Sequence, residues 1–390
     1  MDTKTVRPTY VEVNLDNLEH NYKEIRRVVR KETVVMPVIK ANGYGHGSIE
    51  LARLYLGIGA ERLAVSLLNE GIELRRAGID CPILIMNYTP DFQMIDVAAN
   101  DLIQTIYRFD DAKALSEAAV AMDKKLKIHI KIDTGMSRVG FLPDEKAVED
   151  IVEIYKLPNL EIEGIFTHFA KSDEADKTFT KLQFERFMNV VSALEEKGII
   201  IPIKHVSNSA AIIDMPEYNL DMVRPGIILY GYYPSDEVMK ERIDLRPAMT
   251  LRTVVSNLKT LPQDTGISYN HVYRTPEEAQ IATVPIGYAD GYPRTLTGKG
   301  LVAVAGKRVV IKPRICMDQI MFDATGLGDI SIGDEVVFFG YGSNEYPTVD
   351  ELAGIIGTNS YEVVCMMGRR LPRVYVKRGK VVRTIDYLLD

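Results

Sequence analysis

The chain has 390 residues, a formal net charge of -7, 46% hydrophobic and 26% charged residues; this suits a globular protein of two domains, and the acidic balance disfavours nucleic-acid or anionic-membrane partners. Its three cysteines, Cys81, Cys316 and Cys365, are odd in number and far apart, which excludes a disulfide framework and a metal-ligand spacing. The start, "MDTKTVRPTYVEV", has no apolar signal-peptide core and no apolar run reaches membrane-spanning length, so a soluble cytoplasmic protein with no metal is expected.

Along the first two thirds, short apolar, β-branched runs recur: "VVMPVI" (34–39), "LAVS" (63–66), "PILIM" (82–86), "LIQTI" (102–106), "KIHIKI" (127–132), "IEGIFTHF" (162–169), "PIKHVS" (202–207) and "GIILYG" (226–231). Between them lie stretches with helical spacing, such as "SIELARLYLGIG", "DDAKALSEAAVAMDKK" and "FTKLQFERFMNVVSALEEKG". Eight strands alternating with helices predict a (β/α)8 TIM-type barrel over residues 1–245. The competing fold, a doubly wound open sheet, calls for a phosphate-binding G-x-G-x-x-G near its first strand, and none is there.

After about Arg246 the texture changes. "MTLRTVVSNLKTL", "QIATV", "LVAVAGKRVVIKP", "QIMFDAT", "DEVVFFG" and "RVYVKRGKVVRTI" read as short strands divided by Gly, Pro, Asp and Asn turns, and only "TVDELAGIIG" reads as a helix. Residues 246–390 are therefore expected to form a smaller, mostly-β domain.

Chemistry on a barrel sits on the loops at the C-terminal ends of the strands. Lys40 closes the first run, ahead of the Gly-rich "NGYGHG"; Lys131 and Arg138 stand at and after the fifth, and His168 ends the sixth. "NSAA" follows the seventh, and Arg224 with "PGI" leads into the eighth. Polar groups from five strands thus converge on one mouth.

Six stretches, "VIKANGYGHG", "KIDTGMSRVGF", "HVSNSAAI", "VRPGIILYG", "PIGYADGYPR" and "ICMDQIMFD", stand in order from near the start to near the end of the chain. In this order and spacing the sequence resembles the bacterial alanine racemases. The resemblance implies pyridoxal 5′-phosphate (PLP), a homodimer with shared active sites, and interconversion of L- and D-alanine by two bases, supplying D-alanine for peptidoglycan. Racemisation removes the α-proton on one face and returns it on the other, and PLP serves as the electron sink.

By that resemblance Lys40 forms the imine with PLP and is one base; Tyr269, in "GISYN", is the second, lent by the partner subunit. A phenol works as a base near neutrality only beside cationic or hydrogen-bonded groups, for which Arg138 and His168 are the candidates. Arg224 is implied to face the pyridine nitrogen, where a permanent cation limits electron withdrawal into the ring. Tyr44, Ser209, the backbone amides of Gly226 and Ile227, and Tyr361 are implied as the phosphate cradle, with His168 also against the cofactor. Ser209 alone also reads as a helix N-cap. Arg138 and the Met317 backbone of the partner are implied to hold the substrate carboxylate. Lys131 matches a lysine that some relatives carry as a carbamate; a salt bridge to a nearby Asp or Glu is the other reading.

Cys316 reads as pocket wall, Tyr288 and Asp318 as lining the substrate's way in, and His46 and His205 as structural. Two departures from the family pattern stand out: Gly43 where alanine is usual, which loosens the lysine loop, and Asn270 where glycine is frequent, which keeps positive φ accessible. A racemase of serine or another amino acid is the alternative on the same scaffold. A PLP barrel decarboxylase fits less well, because "ICMDQ" inserts Met317 between the cysteine and the aspartate. A non-enzymatic PLP-binding barrel has no second domain to lend Tyr269.

Overall fold

The computed structural model describes residues 7–390; residues 1–6, the start of the stretch read for a leader, lie outside it. The chain forms two compact units, one of Glu19–Gly43 with Ser48–Arg246, the other of Tyr44–Gly47, Pro247–Asp390 and the described residues up to Leu18. The first strand, β1 (Tyr10–Asn14), belongs to the second of these.

The first unit is the barrel. Its strands are β2 (Val34–Val35), β3 (Leu63–Val65), β4 (Ile83–Ile85), β5 (Ile103–Ile106), β6 (Leu126–Lys131), β7 (Leu160–Phe166), β8 (Ile203–His205) and β9 (Met222–Val223). β3 to β8 form one parallel sheet in sequence order. The ring closes through β2, which pairs in parallel with β9 and reaches β3 through the Ile39 N–H to Ala64 O and Ala64 N–H to Pro37 O bonds. β8 reaches β9 through Asp221 N–H to Lys204 O and Arg224 N–H to Ser207 O. Parallel strands buried on both faces need continuous apolar runs, and β3, β4 and β5 are buried throughout. Amphipathic helices such as Glu145–Tyr155, which buries Ala147, Val148, Ile151 and Ile154 and is capped by Asp144 accepting from Ala147 N–H, supply the outer layer.

Two expectations are corrected here. The eighth strand is Met222–Val223, not "GIILYG": Ile227–Tyr230 is a buried 3-10 turn closed by Gly231 at φ 91°. A short apolar run does not distinguish a buried strand from a buried turn of helix. Arg224 therefore ends the eighth strand instead of leading into it. The domain division at 245/246 also leaves β1 on the wrong side, because its hydrogen-bonding partners are strands of the second unit.

In that unit a seven-stranded sheet has β1 near its middle, antiparallel to β10 (Met249–Val254) and parallel to a strand late in the chain, Arg373–Lys377. β11 (Asn257–Leu261) is an edge strand of a three-stranded sheet, and β12 (Gly266–Ile267) pairs with β13 (Tyr273–Arg274). β14 (Ala279–Val284) lies between β11 and a later strand. β15 (Leu301–Val304) and β16 (Lys307–Val310) make a hairpin across Gly306 at φ 70°. β17 (Ile320–Asp323) completes the three-stranded sheet, and β18 (Glu335–Phe339) joins β10 to β15. β19 (Arg373–Lys377), the parallel neighbour of β1, and β20 (Lys380–Ile385) form the far edge. The helix predicted from "TVDELAGIIG" is Val349–Ile356, started by a Thr348/Glu351 capping box and stopped by Gly357 at φ 84°. Among the described residues no helix is long and apolar enough to cross a membrane.

Candidate active site

The lysine loop begins with a conformational demand. After the ladder of β2 runs out at Ile39, Lys40 is followed by three left-handed residues: Ala41 (φ 53°, ψ 50°), Asn42 (φ 54°, ψ 46°) and Gly43 (φ 61°, ψ 46°). Only glycine enters this region freely, and a left-handed alanine costs about 1–2 kcal/mol. Two groups hold the turn: Gly43 N–H donates to Ile39 O at 2.9 Å, and Ala41 N–H to Glu70 Oε1 at 2.6 Å. The other Glu70 oxygen accepts from the amides of Ser66 (2.7 Å) and Leu67 (3.0 Å). One carboxylate therefore ties the lysine loop to the loop after β3, a role the sequence reading missed. Glu three residues after a helix start is its only sequence signal.

The end of the loop, Tyr44–Gly47, is built into the C-terminal unit. Arg373, fully buried, donates from Nε to Gly45 O at 2.8 Å, and Tyr375 Oη donates to His46 O at 3.0 Å. A Cβ on Gly45 would collide with the Val364 carbonyl, and one on Gly47 with the Tyr375 hydroxyl, so these two glycines are required by close approach. Tyr44 and Tyr361, both assigned to the phosphate, lie in this unit with ring centroids 6.3 Å apart.

At the C-terminal mouth of the barrel, Lys40, Lys131, Arg138, His168 and Arg224 line one cavity of about 190 Å³ together with Ser66, Asn87 and Phe166. Four of these are basic side chains, and among the described residues no carboxylate lines it. Asp133, the nearest acid in sequence, is spent on backbone: its oxygens accept from the amides of Gly135, Ser137 and Arg138. Burial raises its pKa, but those bonds and Lys131 outweigh this and leave it lowered. The same bonds fold the exposed segment that carries Arg138.

Lys131 donates from Nζ to Ile132 O at 3.0 Å and lies over the Phe166 ring, 5.3 Å from its centroid. Among the described residues no carboxylate stands within ion-pair distance of it, so the salt-bridge reading is not met. Burial, then the Arg224 and Arg138 charges, pull its pKa down to about 7 against a weaker pull upward from Asp133. Arg224 is buried and donates to the carbonyls of His205 (2.9 Å), Thr167 (2.7 Å) and Val206 (3.1 Å). Burial and Arg138 bring its pKa down to about 9, which leaves it cationic at neutrality. His168 is held well below the usual imidazole range by burial and then by Arg224, Lys131, Arg138 and Lys40. It is therefore a neutral group, and of the two candidates for a charge near the second base only Arg138 carries one.

Ser209 is not the helix cap. Asn208 takes that position, accepting from Ala211 N–H, and the Ser209 hydroxyl accepts from Gly226 N–H at 2.9 Å. Ser209, Gly226 and Ile227 are thus gathered at one place, a hydroxyl beside the first amides of a buried turn.

The C-terminal unit carries a separate groove of about 590 Å³, lined by Ser268, Tyr269, Asn270, His271, Cys316, Met317, Asp318 and Gln319. Tyr269 sits at the tip between β12 and β13, 65% exposed, on a turn that needs positive φ at Ser268 (64°), Asn270 (61°) and His271 (46°). Met317 is 52% exposed. Its backbone is fixed from below: Tyr288 N–H donates to Cys316 O and Ala289 N–H to Met317 O, both at 3.1 Å, and a Cβ on Gly287 would collide with those same carbonyls.

His205, read as structural, touches Arg224: its Nδ1 accepts from the guanidinium at 2.9 Å. His46 hydrogen-bonds through Nδ1 to Tyr44 O.

Residues 13–234 match the family profile "Alanine racemase, N-terminal domain" and residues 248–375 match "Alanine racemase, C-terminal domain". The chain is 47% identical over 386 residues to an alanine racemase of Clostridium tetani, covering 99% of this chain and all of that one. It superposes on the solved alanine racemase of Clostridium difficile 630 with a TM-score of 0.95 at 44% identity, covering 98% and 99% of the two chains. A histidine racemase from Leuconostoc mesenteroides subsp. sake shares the fold at 27% identity and TM-score 0.87, with 95% and 99% covered.

Proposed function

The chain belongs to the alanine racemase family across both of its domains, and from that premise we propose that it racemises alanine with PLP, using Lys40 and the partner subunit's Tyr269 as bases on opposite faces. The observation that carries this reading is the barrel-mouth cavity, where Lys131, Arg138 and Arg224, and among the described residues no acid, stand around Lys40, which leads into a left-handed turn. Such a lining suits an anionic cofactor and a carboxylate substrate. When bound, PLP supplies the electron sink that makes the α-proton of an amino acid removable.

Lys40 would hold the cofactor covalently. The Ser209 hydroxyl, the Gly226 and Ile227 amides, and the Tyr44 and Tyr361 hydroxyls would take its phosphate, a donor set that suits a dianion. Arg224 would face the ring nitrogen, with His168 beside it as a neutral neighbour. Arg138 and the partner subunit's Met317 amide would orient the substrate carboxylate. Lys131, with a pKa of about 7 and no carboxylate partner among the described residues, has much of its amine neutral at pH 7, so it can add CO2 to give a carbamate and a proton. That anion would sit among Arg138, Arg224 and His168 and steady Arg138.

The proton inventory balances. In one direction Tyr269 Oη takes the α-proton from L-alanine and Lys40 Nζ returns one to the other face. In the other direction the roles reverse. Exposure of Tyr269 and Met317 on one groove favours their use by a partner copy, which makes a homodimer part of the proposal. D-alanine made in the cytoplasm would supply peptidoglycan synthesis. Borohydride reduction of the PLP-loaded protein followed by peptide mapping should label Lys40; label on Lys131 or elsewhere ends the reading.

The histidine racemase on the same fold supports one alternative, racemisation of another amino acid. Chiral chromatography after incubation with a panel of L-amino acids separates the two, since the present reading expects alanine to turn over fastest.

A further inference from the structure

We propose that Glu163 is a positioning residue for the cofactor site, acting from the barrel interior through His129 and His205 to fix the Arg224 guanidinium. The proposal rests on reading Arg224 as the group that faces the PLP ring nitrogen. Four side chains form a continuous chain: Arg224 Nη1 to His205 Nδ1 at 2.9 Å, His205 Nε2 to His129 Nδ1 at 2.8 Å, and His129 Nε2 to Glu163 Oε2 at 3.0 Å. Both imidazoles are fully buried and Glu163 is 5% exposed.

The ends dictate the middle. A guanidinium only donates and a carboxylate only accepts. His205 must therefore accept at Nδ1 and carry its proton on Nε2, and His129 must do the same. Every bond in the chain then points from cation to anion, and the aligned dipoles reinforce one another. Arg224 has no carboxylate within ion-pair distance among the described residues, so Glu163 is the first anion its charge meets along this chain. A buried cation without such compensation is costly.

The strand is built around the arrangement. In the β6–β7 pairing the register slips: Ile128 faces Ile162, but His129 faces Gly164, which leaves Glu163 as the extra residue of a bulge. Gly164 makes the room, because a Cβ there would stand 2.5 Å from His129 Nδ1 and Cε1. Phe166, two residues on, stacks on His205 at 4.6 Å and 9° and carries Arg224 on its ring at 5.3 Å. Arg62 (2.9 Å) and Lys127 (2.7 Å) pair with Glu163 at the other end and keep it ionised.

Glu163→Gln tests this, because the amide keeps the size but can also donate. Once it donates, His129 and His205 can reverse their tautomers, and His205 then presents an N–H to Arg224 and repels it. Protein labelled with 15N-histidine and free of PLP should show both imidazoles neutral with the proton on Nε2, and the variant should show Nδ1–H populated. In the loaded enzyme the variant should bind PLP about tenfold more weakly and lose about 10- to 100-fold in kcat, the cost of removing an outer partner of a buried functional group, with KM for alanine little changed. Lys127→Ala, which removes only the exposed ion partner, should change none of these. Unchanged tautomers and PLP affinity in folded Glu163→Gln would overturn the proposal, as would equal losses in Lys127→Ala. If Glu163→Gln does not fold, His129→Asn, which cuts the chain and leaves the Glu163–Arg62–Lys127 cluster, is read by the same two measurements, and unchanged His205 tautomer and PLP affinity overturn the proposal. Failure of wild-type protein to trap PLP on Lys40 would instead defeat the cofactor reading, and the cofactor-free spectra still decide the chain.

Discussion

Removing Glu70 should loosen the lysine loop without touching the cavity itself. Glu70→Ala deletes the acceptor of the Ala41 amide, a 2.6 Å bond to a carboxylate, worth about 1.5 kcal/mol at such a partly exposed position. The left-handed Ala41 that this bond secures costs about 1–2 kcal/mol. The two nearly cancel, so without Glu70 the turned loop loses its advantage and PLP affinity should fall about tenfold. Water replaces the bonds to the Ser66 and Leu67 amides, so the barrel should remain folded. Ala41→Gly relieves the left-handed strain by about 1 kcal/mol but broadens the loop by about 0.5–1 kcal/mol. Added to Glu70→Ala, it should therefore recover at most a small part of the affinity, about 0–0.5 kcal/mol or up to roughly twofold. Equilibrium titration of cofactor-free protein with PLP, followed by absorbance, measures each variant. Wild-type affinity in Glu70→Ala, or weaker binding in the double variant than in Glu70→Ala alone, would refute the reasoning.

Three further outcomes are expected. Lys131 has its pKa lowered from 10.5 to about 7 on folding, so the unfolded chain holds more protons between these values and stability from this group rises with pH across that window. Lys131→Met, with bicarbonate excluded, should therefore be more stable than wild type in urea near pH 7, and the difference should shrink towards about pH 10; a difference that stays flat counts against a buried free amine. Tyr269→Ala should retain bound PLP and exchange the α-proton of D-alanine in D2O far better than that of L-alanine, since loss of one general base commonly costs about 10² to 10⁴; equal losses point to a single base serving both faces. Mixing inactive Lys40→Ala and Tyr269→Phe proteins should restore activity through half-sites that hold both wild-type residues, and no activity after exchange is demonstrated by mass removes the shared-site claim.

The barrel was legible because its strands are buried on both sides and so read as unbroken apolar runs, while Gly, Pro and Asp separate the shorter strands of the second domain. The same property misplaced the last barrel strand: Met222–Val223 is only two residues long, and the longer apolar run beside it belongs to a turn. β1 was invisible as a member of the other unit, since a strand of alternating burial does not say which sheet covers it. In the site, Lys40, Arg138 and Arg224 stood out as cations at strand ends. Glu163, His129 and His205 did not, because their meaning lies in a bulge that no spacing rule marks. "KIHIKI" did hold a signal: Lys127, His129 and Lys131 alternate with isoleucines and so share one face of β6. A file of polar groups along a barrel strand is a line leading to the mouth.

β1 lies between β10 and β19 in the middle of its sheet, and this sets an order of assembly. By their numbering, Val11 leaves the ribosome about 360 residues ahead of its parallel partner Arg373. At roughly 5–20 residues per second, synthesis keeps the two apart for tens of seconds. During that time the barrel, whose last strand Met222–Val223 is made well before Arg373, can close. Val11 and Val13, both fully buried in the finished protein, have no strand to pair with until β10 is made. Alternating these with Tyr10, Glu12 and Asn14 keeps one side of the waiting strand polar. The seven-stranded sheet is thus completed only once Arg373–Lys377 has emerged, long after the strand it lies beside was made.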